Sequence, residues 1–156
     1  MATDNLLQGL LDIGGSVSNN HSSTAGRSLL RVVRLGRPVN IRSNLWNSTL
    51  DALLQQESLW IDSREKLDEA ISSYVSVREE SGSSGPEFGQ AQRELGKARR
   101  MHEYIESQVT EQLLRSADII VSTCIGLGSE MLQSFVQSEG IRFNSVIVDE
   151  AAQCMV

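Results

Sequence analysis

Val146-Ile147-Val148-Asp149-Glu150-Ala151-Ala152-Gln153 carries three β-branched residues directly into two adjacent carboxylates. Together with Phe143 the apolar run reads as a strand over 143–148, because β-branched side chains suit a pleated, buried surface. A strand that delivers two acids to its C-terminal end suits a metal–nucleotide pocket. Magnesium takes hard oxygen ligands and needs only one or two protein carboxylates among its waters. A second carboxylate can then polarise the water that attacks a γ-phosphate. The same pattern also suits a plain polar strand terminus, so from these residues alone both readings stand.

Working back along the chain, Asp118 to Thr123 is a second compact apolar strand, ending in Ser122-Thr123-Cys124 and followed by Gly126 and Gly128. Glu130 to Gln137 has the apolar spacing of a helix through Met131, Leu132, Phe135 and Val136. Strand, helix and strand in succession predict a parallel βαβ unit whose two strands end on one edge of a sheet, where ligands gather in such folds. A third apolar strand is predicted over Leu29 to Leu35, closed by Gly36 and Pro38. Before it, Leu6, Leu7, Leu10 and Leu11 form a short amphipathic helix that Asp4 can cap. The Ser/Asn/Gly-rich run from Gly14 to Gly26 reads as a mobile loop, since it has little apolar surface to offset its ordering entropy.

The middle third is helical. Leu45, Trp46, Leu50, Leu53 and Leu54 predict a helix over Ser43 to Trp60, continuing into a second segment whose start is marked by a capping box at Asp62 and Glu65. Leu67, Ile71, Tyr74 and Val75 share a face of that segment before Ser81-Gly82-Ser83-Ser84-Gly85-Pro86 interrupts it. Beyond the break Phe88, Ala91, Leu95, Ala98, His102, Ile105, Val109 and Gln112 recur at spacings of three and four, the seam of a helix packed on a partner helix. Two amphipathic stretches joined by a Gly/Ser/Pro turn predict an antiparallel helical hairpin. His102 falls on its seam as a hydrogen-bonded residue, with no metal set around it.

The 156 residues suit one domain-sized core, built mainly from aliphatic side chains because aromatics are 4% of the chain. No apolar run approaches the ~20 residues that cross a bilayer, and no export signal precedes the first helix, so neither membrane insertion nor secretion is expected. Cys124 and Cys154, without a CxxC pair or a Cys/His cluster, read as reduced core residues. A net charge of −6 argues against a uniformly basic nucleic-acid coat. Locally, Arg27, Arg31, Arg34, Arg37 and Arg42 follow one another with no acid between them, either as a solvated strand rim or as a phosphate contact.

These segments, in this order, resemble superfamily 1 DNA/RNA helicases of the branch that contains senataxin, the immunoglobulin mu-binding helicase and the nonsense-mediated decay helicase. Val148-Asp149-Glu150-Ala151-Ala152-Gln153 is similar to their acidic motif, and Ala117 to Gly126 to the strand and Thr-Cys-x-Gly turn that precede it. Leu30 to Pro38 resembles their Leu-Arg-x-Gly-x-Pro stretch. Ser48-Thr49-Leu50-Asp51-Ala52-Leu53 resembles their Ser-Leu-Asp-Ala segment, and Ala2 to Leu7 the tail of the motif after their second core strand.

The resemblance implies an α/β fold, a partial RecA-like P-loop NTPase domain with parallel strands and an inserted antiparallel helical hairpin. Residues 1–42 would be core, 43–116 the helical insertion with its turn at 81–86, and 117–156 core again. It implies ATP and magnesium as cofactors, Asp149 as metal ligand, Glu150 as general base and Gln153 as nucleotide contact. Thr123, Ser122, Gly126, Arg31 and Arg34 would lie along single-stranded RNA or DNA, in a protein of the nucleus or cytoplasm. A Gly-x-x-x-x-Gly-Lys-Ser/Thr phosphate loop occurs nowhere in the sequence, and Met1 stands where family members continue from an upstream strand. The expectation is therefore a partial motor, silent alone, whose partners include the remainder of the helicase. The other reading is a non-catalytic interaction module built on the helical hairpin.

Overall fold

The computed structural model describes residues 2–16, 30–36, 41–82 and 84–149. The predicted mobile loop lies almost wholly outside these residues, as do Pro38, Glu150, Gln153 and Cys154. The chain is mixed α/β and mostly helical, with two parallel strands among the described residues, and it divides into two compact units: 1–52 with 113–156, and 53–112.

In the first unit α1 (Ala2–Ser16) precedes β1 (Val32–Arg34), and a 3-10 helix (Ser43–Ser48) leads into α2 (Leu50–Leu54). β1 is read correctly from its apolar run but is shorter than 29–35, and Leu30 at its start is exposed. All three of its residues are buried, as expected of a parallel strand covered on both faces. Its neighbour is β2 (Ile119–Val121), in the register Val32 to Ile119, Val33 to Ile120 and Arg34 to Val121. The pair is fastened at both ends. Leu35 N donates to Val121 O at 2.8 Å, Asp118 N to Arg31 O at 2.9 Å, and Arg31 N to the Asp118 carboxylate at 2.8 Å. Leu7, Val32, Leu45 and Val121 form the buried cluster beneath, with Leu10, Leu11, Ile41 and Ile119 packed on it.

Thr49, fully buried, accepts from Ala52 N at 3.2 Å and so caps α2. Asp4, expected as a cap, instead lies inside the first turn of α1 and is buried against Arg34. After β2 come α5 (Cys124–Leu127) and α6 (Glu130–Glu139), the latter ending at Gly140 with φ +60°, the left-handed conformation glycine adopts at no steric cost.

Two expectations are corrected here. The strand over 143–148 is absent: the chain from Phe143 to Asp149 has no ladder partner, and Val146, Ile147 and Val148 are 71, 84 and 52% exposed. Apolar, β-branched composition makes an extended segment favourable, but it becomes a strand only when a neighbour completes its hydrogen bonds, and no described residue does so. The parallel partner of β2 is β1, not a strand following α6. Cys124, expected in the core, is exposed at the start of α5, because the turn that begins at Thr123 brings it to the surface.

The second unit holds α3 (Ser58–Ser81) and all but the last turn of α4 (Pro86–Ser116). α3 starts earlier than the expected capping box. A turn at Gln55-Gln56 closes α2, and Ile61 N already bonds Glu57 O at 3.0 Å, leaving Asp62 and Glu65 inside the helix. Between the helices Gly82 and Gly85 take φ of +74° and +133°, and Pro86, with φ fixed and no amide to satisfy, opens α4.

The cross-helix pairs run inward toward that turn, which defines an antiparallel hairpin. Trp60 Nε1 donates to Glu106 Oε2 at 3.0 Å, Ser63 Oγ meets His102 Nδ1 at 2.9 Å, and Tyr74 stacks near Phe88 at 5.4 Å between centroids. Ser63, Leu67, His102 and Val109 are buried, whereas Ile71 and Val75 are exposed, as two helices alone cannot enclose a seam.

Candidate functional site at the carboxyl edge of the parallel strands

Parallel pairing sends the chain out of β1 and β2 on the same edge, so Leu35-Gly36 and Ser122-Thr123 emerge side by side. Thr123 turns the chain there. Its backbone is extended (φ −74°, ψ 158°), its Oγ1 accepts from Gly126 N at 3.1 Å, and Leu127 N returns to its carbonyl at 3.0 Å. The result is a tight polar turn with Thr123 exposed, immediately after a buried strand residue, Val121.

Gly126 is required by packing. A Cβ at this position would overlap Ser122 Oγ and crowd Thr123 Oγ1 at 3.3 Å. Ser122 Oγ is itself buried and has no hydrogen-bond partner among the described residues, an arrangement that costs about 1–3 kcal/mol in desolvation. Gly126→Ala is expected to destabilise the chain by about 1–3 kcal/mol through overpacking, read as a lower urea midpoint at unchanged slope. In a Ser122→Ala background, with the obstructing oxygen gone, most of that loss should disappear. An equal loss in both backgrounds would rule out the Ser122 contact as its cause.

The two arginines singled out in the sequence separate. Arg31 is exposed at the start of β1, its backbone held by Asp118 and its side chain at the surface. Arg34 is buried: its Nε lies 3.0 Å from Asp4 Oδ1, with the two side chains 9% and 11% exposed, while its Nη1 has no partner among the described residues. A guanidinium so placed does not reach a phosphate, so Arg34 is corrected from a strand contact to an internal tie between α1 and β1. The sequence held a signal for this. With a side-chain period of two, Arg34 shares a face with Val32, whose burial in the core then requires a carboxylate for the arginine.

At the C-terminal end Asp149 is exposed, and Glu150 and Gln153 lie outside the described residues. Among the described residues no three His, Cys, Asp or Glu side chains gather to hold a metal. Magnesium requires less than that, and one accessible carboxylate beside a second in sequence fits its oxygen preference. The phosphates of ATP fit less well. No phosphate-loop motif occurs in the chain, and the shallow depression on α3 bordered by Glu65, Asp68, Glu69 and Ser72 has the wrong charge for them. No helix among the described residues is long and apolar enough to cross a membrane.

The profile of a protein family described as AAA domain matches the chain over residues 1–156. Among curated proteins no relative matches.

Proposed function

Starting from the membership in the AAA domain family that this end-to-end match establishes, we propose that the chain, a helicase-like P-loop NTPase domain, supplies part of the first RecA-like domain of a superfamily 1 helicase. ATP hydrolysis there drives movement along single-stranded RNA or DNA. The observation that carries the reading is the parallel β1–β2 pair, whose shared edge ends in the Thr123–Gly126 turn. In this reading Asp149 holds magnesium, Glu150 positions and deprotonates the attacking water, and Gln153 contacts the nucleotide. Thr123, Gly126 and Arg31 lie along the strand, where hydroxyls, amides and cations meet phosphates without reading bases. Ser122 and Arg34 support that edge from inside.

The motifs of the chain resemble those of the branch that contains senataxin, and in this reading the motor works in the nucleus or cytoplasm. Triphosphate binding and the arginines of a second motor domain come from the remainder of the helicase, so the 156-residue chain alone turns over no ATP.

The test is ATP hydrolysis by a form that carries the phosphate loop and second motor domain, with and without single-stranded nucleic acid. Turnover should rise with added strand. A rate indifferent to the strand would overturn the coupling, and hydrolysis by the isolated chain would overturn the division of labour.

A further inference from the structure

The chain is acidic overall, with 20 Asp and Glu against 14 Lys and Arg, yet one stretch of α4 reverses the balance. Between Gly89 and Tyr104 stand the four cations Arg93, Lys97, Arg99 and Arg100 against two acids, Glu94 and Glu103. On a helix of 3.6 residues per turn, Arg93, Lys97, Arg100 and Tyr104 fall within about 60° of one another. That stripe lies opposite the seam residues Ala98, His102, Ile105 and Val109, and so faces away from α3. All four side chains are exposed, Tyr104 by 62%.

The stripe is about 16 Å long at 1.5 Å per residue. Of its cations, Lys97 meets a carboxylate, Glu94 at 3.0 Å from the flank; both are more than half exposed, so the pair holds little energy. Arg100 lies along the helix, its Nη1 3.5 Å from where a Cβ on Gly96 would stand. Glycine in mid-helix costs about 0.5–1 kcal/mol relative to alanine, and here it leaves a flat flank beneath the guanidinium.

We infer that the Arg93–Lys97–Arg100–Tyr104 stripe on the outer face of α4 is a binding surface for single-stranded nucleic acid. The three cations track the phosphates, and Tyr104 stacks on a base at the end of the row. Charge complementarity selects the occupant: a row of cations in an acidic protein attracts a polyanion, and an exposed tyrosine in line with them suits the π-face that every unpaired base presents. Phosphate contacts and base stacking carry no base identity, so such a surface reads no sequence. It extends the proposed helicase reading by adding a strand contact on the hairpin to those at the β1–β2 edge.

Binding of a fluorescent oligothymidylate to the 156-residue chain, followed by anisotropy across a salt series without nucleotide, tests the inference. Each phosphate contact on a single strand contributes about 0.7 to the slope of log affinity against log salt, so the Arg93→Gln/Lys97→Gln/Arg100→Gln variant should lose about 2 from it. Wild-type affinity should accordingly fall about 20-fold more than that of the variant between 50 and 200 mM salt. Tyr104→Ala should bind roughly tenfold more weakly at unchanged slope, and Tyr104→Phe should bind like wild type. Arg78→Gln, on α3 and off the stripe, should change neither quantity, and helical circular dichroism should be the same in all variants.

An unchanged slope in the triple variant, an unchanged affinity in Tyr104→Ala, equal displacement by polyglutamate, or no binding by wild type would each overturn the inference. Because no ATP is present, failure here is separate from failure of strand-stimulated hydrolysis, which tests the motor reading itself.

Discussion

Glu150→Gln is expected to lower strand-stimulated ATP hydrolysis by roughly 10²–10⁴-fold, the usual contribution of a positioned general base, while nucleotide affinity stays within a few-fold of wild type. The substitution keeps shape and one carbonyl acceptor but removes the carboxylate's capacity to take a proton. On the proposed reading, water would still be held near a bound γ-phosphate, but its proton would have no destination. The measurement is steady-state hydrolysis beside equilibrium nucleotide binding, both on a form that contains the phosphate loop. Hydrolysis at the wild-type rate would remove Glu150 from the chemistry. A parallel loss of binding and rate would assign it to holding the nucleotide instead. Asp149, the exposed neighbour, is the position where a loss should be relieved by raising magnesium.

The second large effect concerns folding. Asp4→Ala should destabilise the chain by about 3–5 kcal/mol, because it leaves the Arg34 guanidinium buried without its counter-charge. By contrast the exposed pair Arg64–Asp68, half open to water on both sides, should contribute at most about 1 kcal/mol. Among the described residues Nη1 of Arg34 already lacks a partner, so none of them supplies a spare acceptor to absorb the loss. Replacing both members, Asp4→Leu with Arg34→Met, should recover most of the stability, since well-packed apolar residues commonly match a buried ion pair. Urea unfolding of the two single variants and the double variant closes the cycle. Additive losses in the double variant would mean that the two side chains do not act as a pair.

How far the sequence reaches depends on the range of the interaction involved. The seam from Phe88 to Val109 and the glycine turn at Gly82 and Gly85 are legible because helical spacing and left-handed backbone are local properties. The β1 strand is legible for a similar reason, a Val-rich run with no competing periodicity. The start of α3 is not legible in the sequence, because the turn at Gln55-Gln56 carries neither Gly nor Pro to announce it. The Asp4–Arg34 tie spans thirty residues of sequence, and the β1–β2 register spans far more. Pairings at such distance leave no periodicity in the sequence, so residues 143–148 read as a strand from composition although no described residue pairs with them. At the candidate site the Thr123–Gly126 turn follows from the order of residue types, whereas the burial of Ser122 and Arg34 follows from packing and became visible only in three dimensions.

The backbone of Arg31 bonds the side chain of Asp118 across 87 positions of sequence. A loop of that size is costly to close while the chain is disordered, although the cost grows only with the logarithm of length. The helices between those positions offset it. Each helix forms from contacts four residues apart, and their hairpin closes across spans shorter than 87, 46 positions for Trp60–Glu106 and 39 for Ser63–His102. Loops of that size cost less to close than one of 87, so a hairpin formed first leaves the strands a shorter gap to bridge, and loosening it is expected to slow sheet formation as well.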